Sequence, residues 1–175
     1  MELAPRAQRQ IIRRMEPLEP PALHQAQAAY GWLELGNVEE AFAELQRLPE
    51  ELQLLPAVQA VRLDCLMAAK DWNAAVKLAQ VLCGQWAEEP GLWLHHAYAA
   101  RRCAGGSIEA AYELLAPCVE RFPEEWLIPY NVACYLCQME RLDEARAMLE
   151  MARAKGGERV DTMAKDDEDL APLNL

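Results

Sequence analysis

The chain has 175 residues and a formal net charge of −11, from 17 basic and 28 acidic side chains. Its 30 alanines and 25 leucines stand against only 13 valines, isoleucines and threonines, which excludes a mainly β fold and argues against an α/β sheet. One serine, one threonine and three histidines leave little material for nucleophilic catalysis, and so acidic a surface repels the phosphates of nucleic acids and anionic membranes.

Residues 1–21 carry a net +1, with Arg6, Arg9, Arg13 and Arg14 followed by Pro17, Pro20 and Pro21. They are expected to form a frayed segment or short helix. The opening Met-Glu-Leu-Ala-Pro-Arg has no apolar stretch of a signal peptide, so a cytoplasmic chain with six reduced cysteines is expected. From residue 22 the apolar spacing predicts eight helices, near 22–35, 38–48, 56–69, 72–86, 90–103, 107–120, 127–139 and 142–155. Pro117 falls inside the sixth and is expected to bend it or end it early. Asn37, Asp71 and Ser107 precede second helices and are N-cap residue types. Arg141 stands at the fourth such place and is not one. The longest uncharged run, Trp126 to Met139, is 14 residues and too short to span a bilayer. Residues 158–175 are expected to form a short capping helix near 159–165 and an acidic tail, with Leu170 and Leu173 on the apolar face left by the last helix pair.

The chain repeats itself. Gly-Asn-Val-Glu-Glu-Ala (36–41), Lys-Asp-Trp-Asn-Ala-Ala (70–75), Gly-Ser-Ile-Glu-Ala-Ala (106–111) and Glu-Arg-Leu-Asp-Glu-Ala (140–145) end on Ala41, Ala75, Ala111 and Ala145, separated by 34, 36 and 34 residues. Pro21, Pro56, Pro90 and Pro123 keep nearly the same beat. A helix–turn–helix unit of this length, with small residues at fixed places, resembles the tetratricopeptide repeat family, in particular its small bacterial-type members. Ala29, Ala97 and Ala133 fit the family's small positions on first helices; Leu63 departs from them, and Lys70 and Glu140 replace the usual turn glycine. The resemblance implies an all-α, right-handed α-solenoid of about four repeats (22–55, 56–89, 90–125 and 126–157) with a C-terminal capping segment, 158–175.

It also implies a function class. First helices of this family line a concave groove, which here would hold Tyr30, Leu33, Asp64, Met67, Leu94, Tyr98, Arg101, Tyr130, Asn131, Cys134 and Gln138. The implied protein is a non-enzymatic scaffold binding a peptide or helix of another protein, with no cofactor, no metal and no catalytic residue. A monomer is slightly favoured over the alternative, a self-associating assembly subunit. The lysine and asparagine clamp by which some members grip a C-terminal carboxylate is not reproduced, since only Asn131 has a suitable side chain. A further alternative is a metal- or redox-responsive regulator using Cys134 and Cys137, which form Cys-x-x-Cys. That pair falls in the middle of a predicted helix, where buried packing is the ordinary role of cysteine. His95 and His96 point about 100° apart on a helix and do not readily chelate one ion together. Arg101 is expected to face the groove one turn beyond Tyr98, where a guanidinium suits an acidic or C-terminal peptide lying across Tyr98, Arg101, Tyr130 and Asn131. Arg102 is expected to do no more than complement the helix end.

Overall fold

A computed structural model describes residues 18–174; the expectation for residues 1–17 lies outside it. Eleven α-helices and one 3₁₀ segment make up the described chain, and no strand occurs among the described residues. The first helices of the repeating units are α1 (Ala22–Glu34), α4 (Pro56–Ala68), α6 (Pro90–Arg102) and α9 (Leu127–Gln138). The second helices are α2 (Val38–Gln46), α5 (Trp72–Gln85), α7 (Ile108–Leu115) and α10 (Leu142–Gly156). Between them lie the single turns α3 (Glu50–Gln53) and α8 (Cys118–Arg121). The chain ends in α11 (Glu158–Lys165) and a 3₁₀ segment, Glu168–Leu173.

Local chemistry accounts for these boundaries. Asn37 Oδ1 accepts the Glu40 N–H at 3.3 Å, Asp71 Oδ1 the Ala74 N–H at 3.1 Å, and Ser107 Oγ the Ala110 N–H at 3.1 Å. Each satisfies one donor that a helix start leaves orphaned. Arg141 caps nothing with its side chain; its guanidinium instead holds Glu144 through two bonds of 2.7 Å and lies over the Tyr112 ring. The expected helix over 107–120 is two pieces: α7 stops at Leu115 and α8 starts after Pro117, whose ring cannot continue an α-helical ladder. The single turn α3 falls between the helices expected over 38–48 and 56–69, with Glu50 and Glu51 at its start.

The interhelix turns share one conformation. Gly36, Lys70 and Glu140 all have left-handed backbones, with φ of 74°, 57° and 60°. In each turn the following N–H reaches back five residues: Asn37 to the Trp32 carbonyl, Asp71 to Leu66 and Arg141 to Leu136. These bonds close the helix ends in the Schellman manner. The third turn is longer, and there Gly105 carries the positive φ, 75°.

The chain divides between His95 and His96 into two compact units. In the N-terminal unit α1 packs on α2 and α4 on α5, and Ala29, Ala41, Leu45, Val58, Ala75 and Ala79 are wholly buried. Leu63, at a place where the repeat pattern has a small residue, is buried as well. In the C-terminal unit α9 packs on α10 and α7, and α10 on α11. Ala97, Ala111, Leu115, Ile128, Ala133 and Ala145 are wholly buried there. No helix among the described residues is long and apolar enough to cross a membrane.

Candidate functional site in the C-terminal unit

The site begins with the composition of α9. Its twelve residues, Leu-Ile-Pro-Tyr-Asn-Val-Ala-Cys-Tyr-Leu-Cys-Gln, carry no charge, and all but Gln138 are buried. A helix apolar on every side needs cover on every side. Two faces are covered by α7 and α10. A third is covered by the chain's own C-terminus, since the 3₁₀ segment folds back across α9 and the edge of α10. Residues three apart eclipse in a 3₁₀ helix, so Asp167, Leu170 and Leu173 share one side. Leu170 and Leu173 are 1% and 2% exposed, which puts both leucines in the core rather than on a free tail.

Polar contacts pin the same segment. Arg101, in the last turn of α6, donates to both carboxylate oxygens of Asp169, at 2.6 and 2.9 Å. This two-point geometry is the strong form of a guanidinium–carboxylate pair. The hydroxyl of Tyr130 donates to Asp167 Oδ2 at 2.8 Å, and the Cys134 thiol approaches the same oxygen at 3.7 Å. Asp167 Oδ1 accepts the Asp169 N–H at 3.1 Å and so starts the 3₁₀ turn. Gln138 Nε2 donates to the Asp169 carbonyl at 3.1 Å, and Arg146 to the Leu173 carbonyl at 3.1 Å.

The electrostatics follow. The bond from Arg101 holds the Asp169 carboxyl below its ordinary range against the opposing effect of burial. The Arg101 guanidinium is stabilised in return. Burial, reinforced by the neighbouring Asp167 and Asp169, pushes the Cys134 thiol well up. Burial also raises Cys137. Burial and the bond to Asp167 keep the Tyr130 phenol protonated. Metal ligation and thiol exchange both need a thiolate, and this setting favours the thiol. The face therefore has the makings of a seat for a carboxylate-bearing, leucine-bearing segment.

Of the expected groove residues, this site brings together Arg101, Tyr130, Cys134 and Gln138. Tyr98 and Asn131 have contacts of their own. Tyr98 lies under the Arg102 guanidinium, 3.5 Å from the ring centre, and Arg102 also donates to the Tyr98 carbonyl at 3.2 Å. Arg102 thus serves its own helix end. The Asn131 amide donates to the Leu127 carbonyl at 2.8 Å within its own helix. Tyr130, Asn131, Cys134 and Leu94 were expected on an open groove; all four are buried, three of them in the shell of α9.

In the N-terminal unit Tyr30, Asp64 and His95 form a second cluster, spaced by 34 and 31 residues along the chain. The Tyr30 hydroxyl donates to Asp64 Oδ2 at 2.7 Å, and His95 Nε2 lies 3.2 Å from Asp64 Oδ1. The His95 and Asp64 side chains are each 3% exposed. Burial pushes the Asp64 carboxyl up, and His95 and the Tyr30 bond pull it down. His95 thus belongs with Asp64, a pairing not foreseen from the sequence, although the near-repeat spacing of the three was visible there. Leu33 and Met67 are half-buried on α1 and α4.

No protein-family model matches the chain, and no curated protein is significantly similar to it.

Proposed function

We propose that this chain is a tetratricopeptide-like helical repeat protein that acts as a non-enzymatic interaction module in the cytoplasm, gripping a short acidic segment of another protein on its first helices. One observation carries the reading. An acidic, leucine-containing segment is already seated on α9, with its carboxylate in the fork of Arg101. A surface that holds such a segment in cis has the chemistry to hold one in trans. The repeat assignment draws support from the left-handed turns at Gly36, Lys70 and Glu140 and from alanines buried at matching places. The non-enzymatic reading draws support from the protonated, buried thiols of the site.

The test is affinity capture with the tagged full chain, followed by hydrogen-exchange footprinting of the complex. Protection is expected on first helices, α9 above all. A partner protecting only the second helices α2, α5, α7 and α10 would reject the proposal.

A further inference from the structure

We infer that the segment Asp167–Leu173 is a built-in copy of the partner's recognition sequence, so that the partner presents an acid-x-acid-Leu-x-x-Leu segment and must displace the chain's own tail to bind. The inference rests on the interaction-module reading and specifies its ligand.

Three features of the seat lead to it. First, each recognition element is used at once. Asp167 meets Tyr130, Asp169 meets Arg101, and Leu170 and Leu173 fill the apolar face of α9. A segment lacking either acid leaves a buried phenol or a half-buried guanidinium without its acceptor, which costs more than the bond itself gains. Second, the charge match is local. Residues 156–175 carry a net −4 in an acidic protein, yet they find at Arg101 and Arg146 two cations within the C-terminal unit. A general acidic surface does not attract an acidic ligand; this spot does. Third, the segment is a separable piece. It is two turns of 3₁₀ structure joined to α11 by Asp166 and Asp167, held by side-chain bonds and two leucines rather than by a long helix interface. Short 3₁₀ pieces have poor internal hydrogen bonding and little stability of their own. Undocking therefore leaves the helices of the unit in place.

Competition sets the regulation. A segment tethered by a few residues acts at an effective concentration of order millimolar. A free copy of the same sequence at micromolar concentration is shut out, whereas a partner with additional contacts is admitted.

The experiment uses the full chain and a fluorescein-labelled peptide of the sequence Asp-Asp-Glu-Asp-Leu-Ala-Pro-Leu-Asn-Leu, read by fluorescence anisotropy. The variant Asp169→Ala, Leu170→Ser is expected to bind the peptide at least about tenfold more tightly than wild type, by the effective-concentration argument. Adding Arg101→Glu to that variant should remove the gain, and a peptide with its acids changed to asparagine should not bind. A released variant of unchanged helicity that binds no better than wild type overturns the inference, and so does equal binding of the asparagine peptide. Should the variant lose helicity, unlabelled peptide is titrated against wild type to millimolar concentration. Faster amide exchange at residues 168–173 supports displacement, and unchanged exchange overturns it. A wild-type chain that is dimeric by light scattering, with the tail amides protected only in the dimer, gives the seat to a second copy and also overturns it. The two failures are distinguishable: capture of a partner that footprints on α1 and α4, with no peptide binding, sinks the inference alone, while a captured partner that protects only α2, α5, α7 and α10 sinks the module reading and with it the inference that rests on it.

Discussion

Lys70 and Glu140 show how a turn between paired helices is set by the backbone of a single residue. Both hold left-handed backbones at the place where Gly36 serves the first turn. A side chain in that conformation costs about 1–2 kcal/mol, and a glycine gives back about 0.5–1 through the freedom it restores to the unfolded chain. The balance favours glycine: Lys70→Gly and Glu140→Gly are each expected to stabilise the fold by about 0.5–1 kcal/mol, measured by urea denaturation. A loss of stability in both would mean that the lysine and glutamate side chains contribute contacts that outweigh the strain. The opposite change is forbidden at Gly106, where an added Cβ would run into the Ala100 carbonyl oxygen. Asp64 illustrates a different residue-scale compromise. Its carboxyl is buried at a cost that Tyr30 and His95 offset only in part, and a buried acid with two polar neighbours specifies how α1, α4 and the start of α6 come together in the N-terminal unit.

Among the elements, the alanines fix how closely helices approach. Ala75 on α5 and Ala111 on α7 are wholly buried. Leucine at either place overfills a packed core, so Ala75→Leu and Ala111→Leu are each expected to cost about 1–3 kcal/mol in thermal or urea unfolding. Variants that melt like the parent would show that neither site is a close crossing. The same alanines made the elements legible in the sequence, because a spacing of 34 to 36 residues fixes where each helix pair begins. The caps Asn37, Asp71 and Ser107 then placed the starts of those second helices within a residue, and Pro117 marked the break between α7 and α8. The seat of the tail was legible only in part. Leu170 and Leu173 showed an apolar side, and Arg101 showed a fork wanting a carboxylate. Yet the two partners of that bond lie 68 residues apart, and no local pattern joins them. For the same reason Tyr130 and Cys134 read as lining an open surface when they are the floor beneath the chain's own end.

For the whole molecule, charge acts in two directions at once. A net charge of −11 makes the folded chain repel itself, and added salt relieves that repulsion. The Debye length falls from about 30 Å at 0.01 M salt to about 3 Å at 1 M, so sodium chloride over this range is expected to raise the melting temperature. The Arg101–Asp169 pair responds in the other sense. Its side chains are 19% and 24% exposed, open enough for screening to weaken their attraction. Pairs of this exposure are worth about 0.2–1 kcal/mol, and losing that much speeds local opening by up to about fivefold. Hydrogen exchange followed across the salt series should therefore show the amides of residues 168–173 exchanging faster while the global midpoint climbs. Only a segment held partly by charge, on a molecule that is otherwise over-charged, separates the two trends. If the tail amides slow in step with the rising midpoint, the leucines and the remaining bonds from Tyr130, Gln138 and Arg146 hold the segment without help from charge attraction, and Arg101 has no part in choosing what occupies the face of α9.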